Sequence, residues 1–183
     1  RDALEPPPEL TPTEWSEKHI HLTDSARPGP FRVDAAPYLE LPMNLCNAPG
    51  VVQINVEKGV QGGVSTAFRI VIGFCAHRDP EPMGLTLPDR QKGRKIVMNR
   101  IVPMFKETDV LAGLTTRKSA DLQAEQLRLI NGFIMHLMWS GSASSMASDP
   151  MRIVINDEVD KFPDWTGNDA DPISLTWKRL TTY

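Results

Sequence analysis

The apolar positions of the chain fall into two kinds of grouping. Short runs read as strands: the β-branched Val51–Val56, the short Met83–Leu87, and a last, buried one at Arg152–Asn156. Longer stretches read as helices. One is apolar, Ala67 to Ala76, and one is basic, from Asp89 to about Phe105. Two further apolar runs, Gln126–Ile130 and Phe133–Trp139, flank Asn131-Gly132. That dipeptide between strands predicts a tight hairpin, because a type I′ turn needs positive φ at both central residues. Near the start, Thr11-Pro12-Thr13-Glu14 predicts a helix N-terminus, and Trp15 and Ile20 give that helix an apolar side. Pro37 is expected to open another helix that ends near Asn47-Ala48-Pro49-Gly50. Residues 24–34, with Pro28, Gly29 and Pro30, read as loop, and Gly141–Ser148 as a small-residue loop or short helix. Strands alternating with helices predict an α/β fold: a largely parallel sheet flanked by helices, with an inserted antiparallel β-hairpin.

Pro6, Pro7 and Pro8 mark residues 1–10 as an extended arm. Residues 11–50 then read as lead-in helices and loop, and 51–183 as the core. A length of 183 residues suits one sizeable core. The chain opens on Arg1 rather than Met, and is expected to be part of something longer. No apolar run approaches membrane-spanning length. With 40% apolar and 23% charged residues the composition is that of an ordinary globular domain. A net charge of −3 means that any nucleic-acid contact must be local rather than global. Cys46 and Cys75 have no motif spacing, which suits a reducing compartment. His19 and His21 lack the further ligands a metal motif needs.

Candidate chemistry lies at the ends of two predicted strands. The first place is the turn from 57 to 66, Glu57-Lys58-Gly59-Val60-Gln61-Gly62-Gly63-Val64-Ser65-Thr66. A standard phosphate loop reads G-x-x-x-x-G-K-[ST]. Here Gly63 and Ser65 are in register, Val64 replaces the usual lysine, and Lys58 stands where the first glycine would be. The chemistry survives that exchange. Gly59, Gly62 and Gly63 let backbone N–H groups converge on phosphate. Ser65 opens a helix whose N-terminal end attracts anions, and its hydroxyl suits Mg²⁺. Lys58 is the one cation between Val51 and Phe68, and a loop that curls around phosphate brings its start near its end. Candidate nucleotide-binding residues are therefore Lys58, Gly59, Gln61, Gly62, Gly63, Val64, Ser65 and Thr66. The plain alternative is a Gly-rich strand-to-helix turn.

The second place is Ile153-Val154-Ile155-Asn156-Asp157-Glu158. An apolar strand ending in two carboxylates is what a phosphate-loop ATPase needs. Asp157 suits a Mg²⁺ ligand, and Glu158 suits orienting or activating the attacking water. A strand capped by a solvated acidic turn is the alternative. The two motifs support each other, since a phosphate clamp without a Mg²⁺ carboxylate does little catalysis.

With both motifs in place, the chain from about Trp15 to Tyr183 resembles the GpA-like large terminase subunit of tailed bacteriophages. Glu14-Trp15 is similar to that family's opening segment, and Ser25-Ala26-Arg27-Pro28-Gly29-Pro30-Phe31 with Pro37-Tyr38 to its lead-in. Its phosphate loop carries the lysine at the start, as Lys58 to Ser65 does. Leu87-Pro88-Asp89, Asp157-Glu158-Val159-Asp160, Asp171-Pro172 and Lys178-Arg179 resemble later family segments. Asn156 departs from the pattern, which commonly has an apolar or small residue there. The resemblance implies a P-loop NTPase of the additional-strand class that uses ATP and Mg²⁺. Lys58 and Glu158 would be catalytic, and Ser65 and Asp157 would hold the metal. The partners it implies are double-stranded DNA, a small terminase subunit, the procapsid portal and sister copies in a ring, in the host cytoplasm and transiently at the portal. A coupling segment and nuclease domain are expected beyond Tyr183, with nuclease activity confined to the full-length protein.

Other readings stay open at this level. A degenerate nucleotide-binding module could serve as an assembly scaffold, and a helicase-like translocase shares both motifs. Arg90, Lys92, Arg94, Lys95 and Arg100 on the basic helix suit a DNA contact, an arginine acting in a neighbour's site, or a solvated face. Phe31 and Tyr38 suit either the adenine base or the core. Met135, Leu137 and Trp139 suit the hairpin core.

Overall fold

The computed structural model of the protein describes residues 9–23, 28–59, 61–116, 118, 120–147, 149–164 and 170–181. Residues 1–8 of the arm expected at 1–10, and Ser25-Ala26-Arg27, lie outside them. The chain divides into two compact units, Arg1–Phe74 and Cys75–Tyr183, with helix α3, Val64–Arg78, running through the boundary.

In the first unit, α1 spans Pro12–His19. It starts where the sequence predicts, for a physical reason. Thr11 accepts from the Glu14 backbone N–H while the Glu14 carboxylate accepts from the Thr11 N–H, a reciprocal capping box that satisfies two otherwise orphaned donors. The helix buries Trp15 completely, with Phe74 edge-on to it at 5.9 Å between ring centres. Ile20 is buried too. His21–Leu22 (β1) and Gly29–Pro30 (β2) form a minimal antiparallel ladder. The helix expected from Pro37 begins as a 3₁₀ turn, Pro37–Leu39, and continues as α2, Glu40–Leu45. Asn44 of α2 accepts from both the N–H and the hydroxyl of Thr13, tying α2 to α1.

One expectation fails here. Val51–Val56 does not form a strand. Residues 51–59 are irregular and exposed, with Val52 at 80%. Strand preference in β-branched residues reflects fit to a half-buried, paired surface. Among the described residues of this unit the one ladder is β1 with β2, which leaves the 51–56 run without a partner.

The second unit is built on a four-stranded sheet of order β4-β5-β3-β6, from Gln126–Arg128 (β4), Ile134–Trp139 (β5), Met83–Leu87 (β3) and Ile153–Asn156 (β6). β3 pairs parallel with β5 and β6, and β4 pairs antiparallel with β5. Every residue of β3 is buried, as expected of a central parallel strand covered on both faces. The Asn131-Gly132 turn forms, but not as a two-residue type I′ loop. Only Gly132 has positive φ, at 94°, and residues 129–133 separate the strands. The Asn131 side chain explains the difference: its amide donates to the Ala76 carbonyl at 2.7 Å and its oxygen accepts from the Phe133 N–H. β5, the second strand of this pair, sits inside the sheet, so β4 alone is an antiparallel edge.

The basic helix forms from Arg90 to Glu107, but in three parts: α4 (Arg90–Ile96), a π-helical stretch (Val97–Ile101) and α5 (Val102–Glu107). Pro103 accounts for the widening. It has no N–H to continue the ladder, and the preceding Val102 N–H reaches back to the Val97 carbonyl. α6, Asp109–Ala112, follows. α4 seats on β5 through Gly93, where a Cβ would stand 2.8 Å from Leu137 Cδ1. The opposite face of the sheet is covered by α7 (Ala143–Met146) and α8 (Pro172–Trp177), around Met138, Met146, Met151 and Leu175. Adjacent residues Leu137 and Met138 thus face opposite helices, as the strand's two-residue period requires.

Gly84 on β3 admits this methionine cluster. A Cβ there would lie 2.5 Å from both Met138 Cε and Met151 Sδ, and both methionines are fully buried. Gly84→Val should lower the unfolding free energy by about 1–3 kcal/mol through overpacking, read as a reduced midpoint in urea denaturation. An unchanged midpoint would show that the methionines repack freely.

Candidate functional site

The first group of candidate residues surrounds the start of α3. Gln61 and Gly63 adopt left-handed backbone, with φ of 60° and 73°. This reverses the chain just before the helix, and Gln61 does so at a cost that glycine avoids. The Gly63 carbonyl accepts from the Thr66 and Ala67 N–H groups, at 2.9 and 3.0 Å, and closes the first turn. Val64 is buried, and a Cβ on Gly63 would meet Leu39 at 3.3 Å, so the loop rests on apolar packing. Lys58, Gly59, Gln61, Gly63 and Ser65 are exposed, and Gly62 and Thr66 partly so. The Lys58 ammonium donates to the Ser65 hydroxyl at 3.4 Å, and it stands 5.8 Å from the centre of the Phe68 ring. The lysine at the head of the motif therefore meets the hydroxyl at its tail. Tyr38, exposed, donates its hydroxyl to the Gly62 carbonyl at 3.1 Å, while Phe31 is buried in the core.

The second group lies at the C-terminal end of β6. The Asp157 N–H donates to the Thr86 carbonyl, which extends the β3–β6 ladder by one bond. Asp157 is 6% exposed, and its Oδ1 accepts from the Glu158 N–H at 2.9 Å. Glu158 then takes a left-handed conformation, φ 58° and ψ 44°, rare for a residue with a side chain. It leads into the 3₁₀ turn Val159–Lys161. Its carboxylate is gripped from two elements. Lys92 of α4 donates to Oε2 at 2.5 Å, and Lys161 reaches the same oxygen at 3.1 Å. The Lys92 hydrogen bond, aided by Lys161 and opposed by partial burial, holds the Glu158 carboxyl below the usual range. Lys161's own hydrogen bond to Glu158 raises the lysine in turn.

Asn156, the departure noted above, has a structural role. Its amide donates to the Thr176 hydroxyl at 3.2 Å and so pins α8 to β6. Its Oδ1 and the neighbouring Thr86 hydroxyl are buried without a hydrogen-bond partner among the described residues.

The basic helix is less free than its composition suggests. Arg90 and Arg94 both pair with Glu125, Arg90 also lies over the Trp139 ring at 5.0 Å, and Lys92 is committed to Glu158. Lys92 carries no motif and stands 66 residues from Glu158, so the sequence offers it for a DNA contact, a neighbour's site or a solvated face, and not as a partner of Glu158. Lys161 was visible as a neighbour three residues on. No group of His, Cys, Asp and Glu among the described residues is arranged to hold a metal by itself. No helix among them is long and apolar enough to cross a membrane.

No curated protein and no solved structure matches the chain. The family described as phage terminase large subunit gpA, ATPase domain, matches residues 25–183, a stretch that contains both groups of candidate residues. By that match the chain belongs to the ATPase-domain family of the phage terminase large subunit gpA.

Proposed function

We propose that this chain is the ATP-hydrolysing motor domain of a terminase large subunit, of the additional-strand P-loop class, which drives double-stranded DNA into procapsids. The observation that carries this reading is the Lys58 ammonium beside the Ser65 hydroxyl on the first turn of α3. A cation, a hydroxyl, left-handed backbone and a fifteen-residue helix start together suit a polyphosphate.

The donors present fit Mg²⁺, which takes oxygen ligands and works with substrate phosphates. In this reading Ser65 and Asp157 hold the metal. Lys58 neutralises the β- and γ-phosphate oxygens, and the backbone N–H groups of Gly59, Gln61, Gly62, Gly63, Val64 and Ser65 line the phosphates, with the Thr66 hydroxyl beside them. Bound Mg²⁺ would supply charge neutralisation at the phosphates. Glu158 accepts a hydrogen bond from the attacking water and orients it in line with the γ-phosphorus. Family membership supports a packaging role. Double-stranded DNA, a small terminase subunit, the portal and a ring of sister chains are the partners this role requires. The host cytoplasm, and transiently the portal, is where it would act.

The test is phosphate release from ATP with Mg²⁺, with and without duplex DNA, together with nucleotide binding by equilibrium dialysis. Metal-dependent hydrolysis, abolished by EDTA, is expected. ATP binding without hydrolysis would replace the motor by a nucleotide-binding scaffold. No binding at all would overturn both readings.

A further inference from the structure

We propose that Lys92 is a positioning residue for hydrolysis: it holds Glu158 in the orientation that presents its second oxygen to the attacking water. The inference rests on the reading of Glu158 given above. It is carried by a geometry that reading does not contain.

Both ammonium groups around Glu158 meet one oxygen, Oε2. A carboxylate gripped at one oxygen keeps its other oxygen, Oε1, as an acceptor for water. Without the grip, the side chain of a glutamate samples several rotamers. Here that freedom would begin from a backbone already in the left-handed region. The two lysines are not equivalent. Lys161 ends the short 3₁₀ turn that Glu158 caps, three residues along the same loop. Lys92 belongs to α4, and is the one that refers Glu158 to the sheet. Its own place is firmly set. The Lys92 N–H donates to the α4 cap residue Asp89 at 2.8 Å, and the next residue, Gly93, packs on Leu137 of β5. The glutamate is thus aligned by a helix that starts three residues after β3 ends, rather than by its own loop.

Lys92 touches neither substrate nor metal in this scheme and acts only through Glu158. Three variants and their combination test that. Lys92→Met should lower kcat roughly 10- to 100-fold, the cost of misplacing a reacting group by about an ångström, with KM for ATP little changed. Lys92→Arg should recover part of the loss, since it restores a donor to Oε2. The decisive measurement is the combined variant. In a Glu158→Gln background, Lys92→Met should cost nothing further, because the group it positions is already disabled. Where steady-state turnover is too slow, single-turnover hydrolysis with protein in excess reads the same ratios.

Additive losses in the combined variant would overturn the inference and make Lys92 a structural residue or a direct substrate contact. Unchanged or faster turnover in Lys92→Met, with Glu158→Gln inactive, would overturn it while leaving the Glu158 reading intact. Full turnover in Glu158→Gln would remove that reading first, and this inference with it.

Discussion

Glu158→Gln is expected to bind ATP·Mg²⁺ as the parent does and to hydrolyse it roughly 10²- to 10⁴-fold more slowly, the range that a positioned general base supplies. The substitution preserves size and shape. It also preserves the contact with α4, because a glutamine oxygen still accepts from Lys92 and Lys161. What it removes is the negative charge and basicity that draw a proton from water as the nucleophile attacks. An interaction realised in the transition state lowers kcat when lost, and leaves ground-state affinity nearly untouched. Binding of a fluorescent ATP analogue and single-turnover hydrolysis, measured on the same preparation, separate the two quantities. Equal loss of both would point to a disturbed loop, and unchanged turnover would remove Glu158 from the chemistry.

Lys58→Ala is the second large effect. Lys58 is the only lysine or arginine between Val51 and Phe68. Its removal leaves the β- and γ-phosphate charge facing backbone dipoles and the metal. One such charge-assisted contact is worth on the order of 2–4 kcal/mol in the transition state, so turnover should fall roughly 30- to 1,000-fold at saturating ATP·Mg²⁺. Adding Val64→Lys to Lys58→Ala restores the standard order of residues, and part of the loss should return. Full recovery is not expected. Val64 is 6% exposed, and a lysine stem there must displace apolar packing to bring its ammonium out. Wild-type turnover in Lys58→Ala would show that the phosphate charge is met elsewhere and that the displaced-lysine reading of this loop is wrong.

What could be read from the sequence follows from where the controlling interactions lie. The start of α1, the span of β3 and the end of β6 depend on local signals: a capping box, a continuous apolar run, a run broken by carboxylates. Those places came out where expected. Val51–Val56 carries an equally strong local signal and forms no strand, because pairing decides a strand and pairing is not local. The turn at Asn131-Gly132 was legible as a turn but not in its type. The deciding bond runs from Asn131 to Ala76, far away in sequence. The site divides the same way. Lys58, Ser65, Asp157 and Glu158 stand in motifs. Lys92 has no motif, since its role depends on how α4 is seated against the sheet. Tyr38, which the sequence offers for a base or for the core, is exposed and donates to the loop backbone at Gly62.

The wide turn in the basic helix has a consequence for helical phase. Gly93, Val97, Ile101 and Phe105 are all buried, and they recur at a strict spacing of four. In an unbroken α-helix a step of four overshoots the full turn by about 40°. Three such steps would carry the stripe about a third of the way around the helix. The π-helical stretch at Val97–Ile101 takes up part of that drift, so a four-residue repeat stays on the buried side of the helix. Loss of a single residue from this stretch would return the helix to ordinary winding. With α5 held in place, four residues of ordinary winding turn about as far as five of the wider turn, so Lys92 would keep its face. Loss of a residue from Arg94–Ile96, where the winding is already ordinary, would instead rotate it by about 100°, and the lysine would leave Glu158 although neither residue had changed.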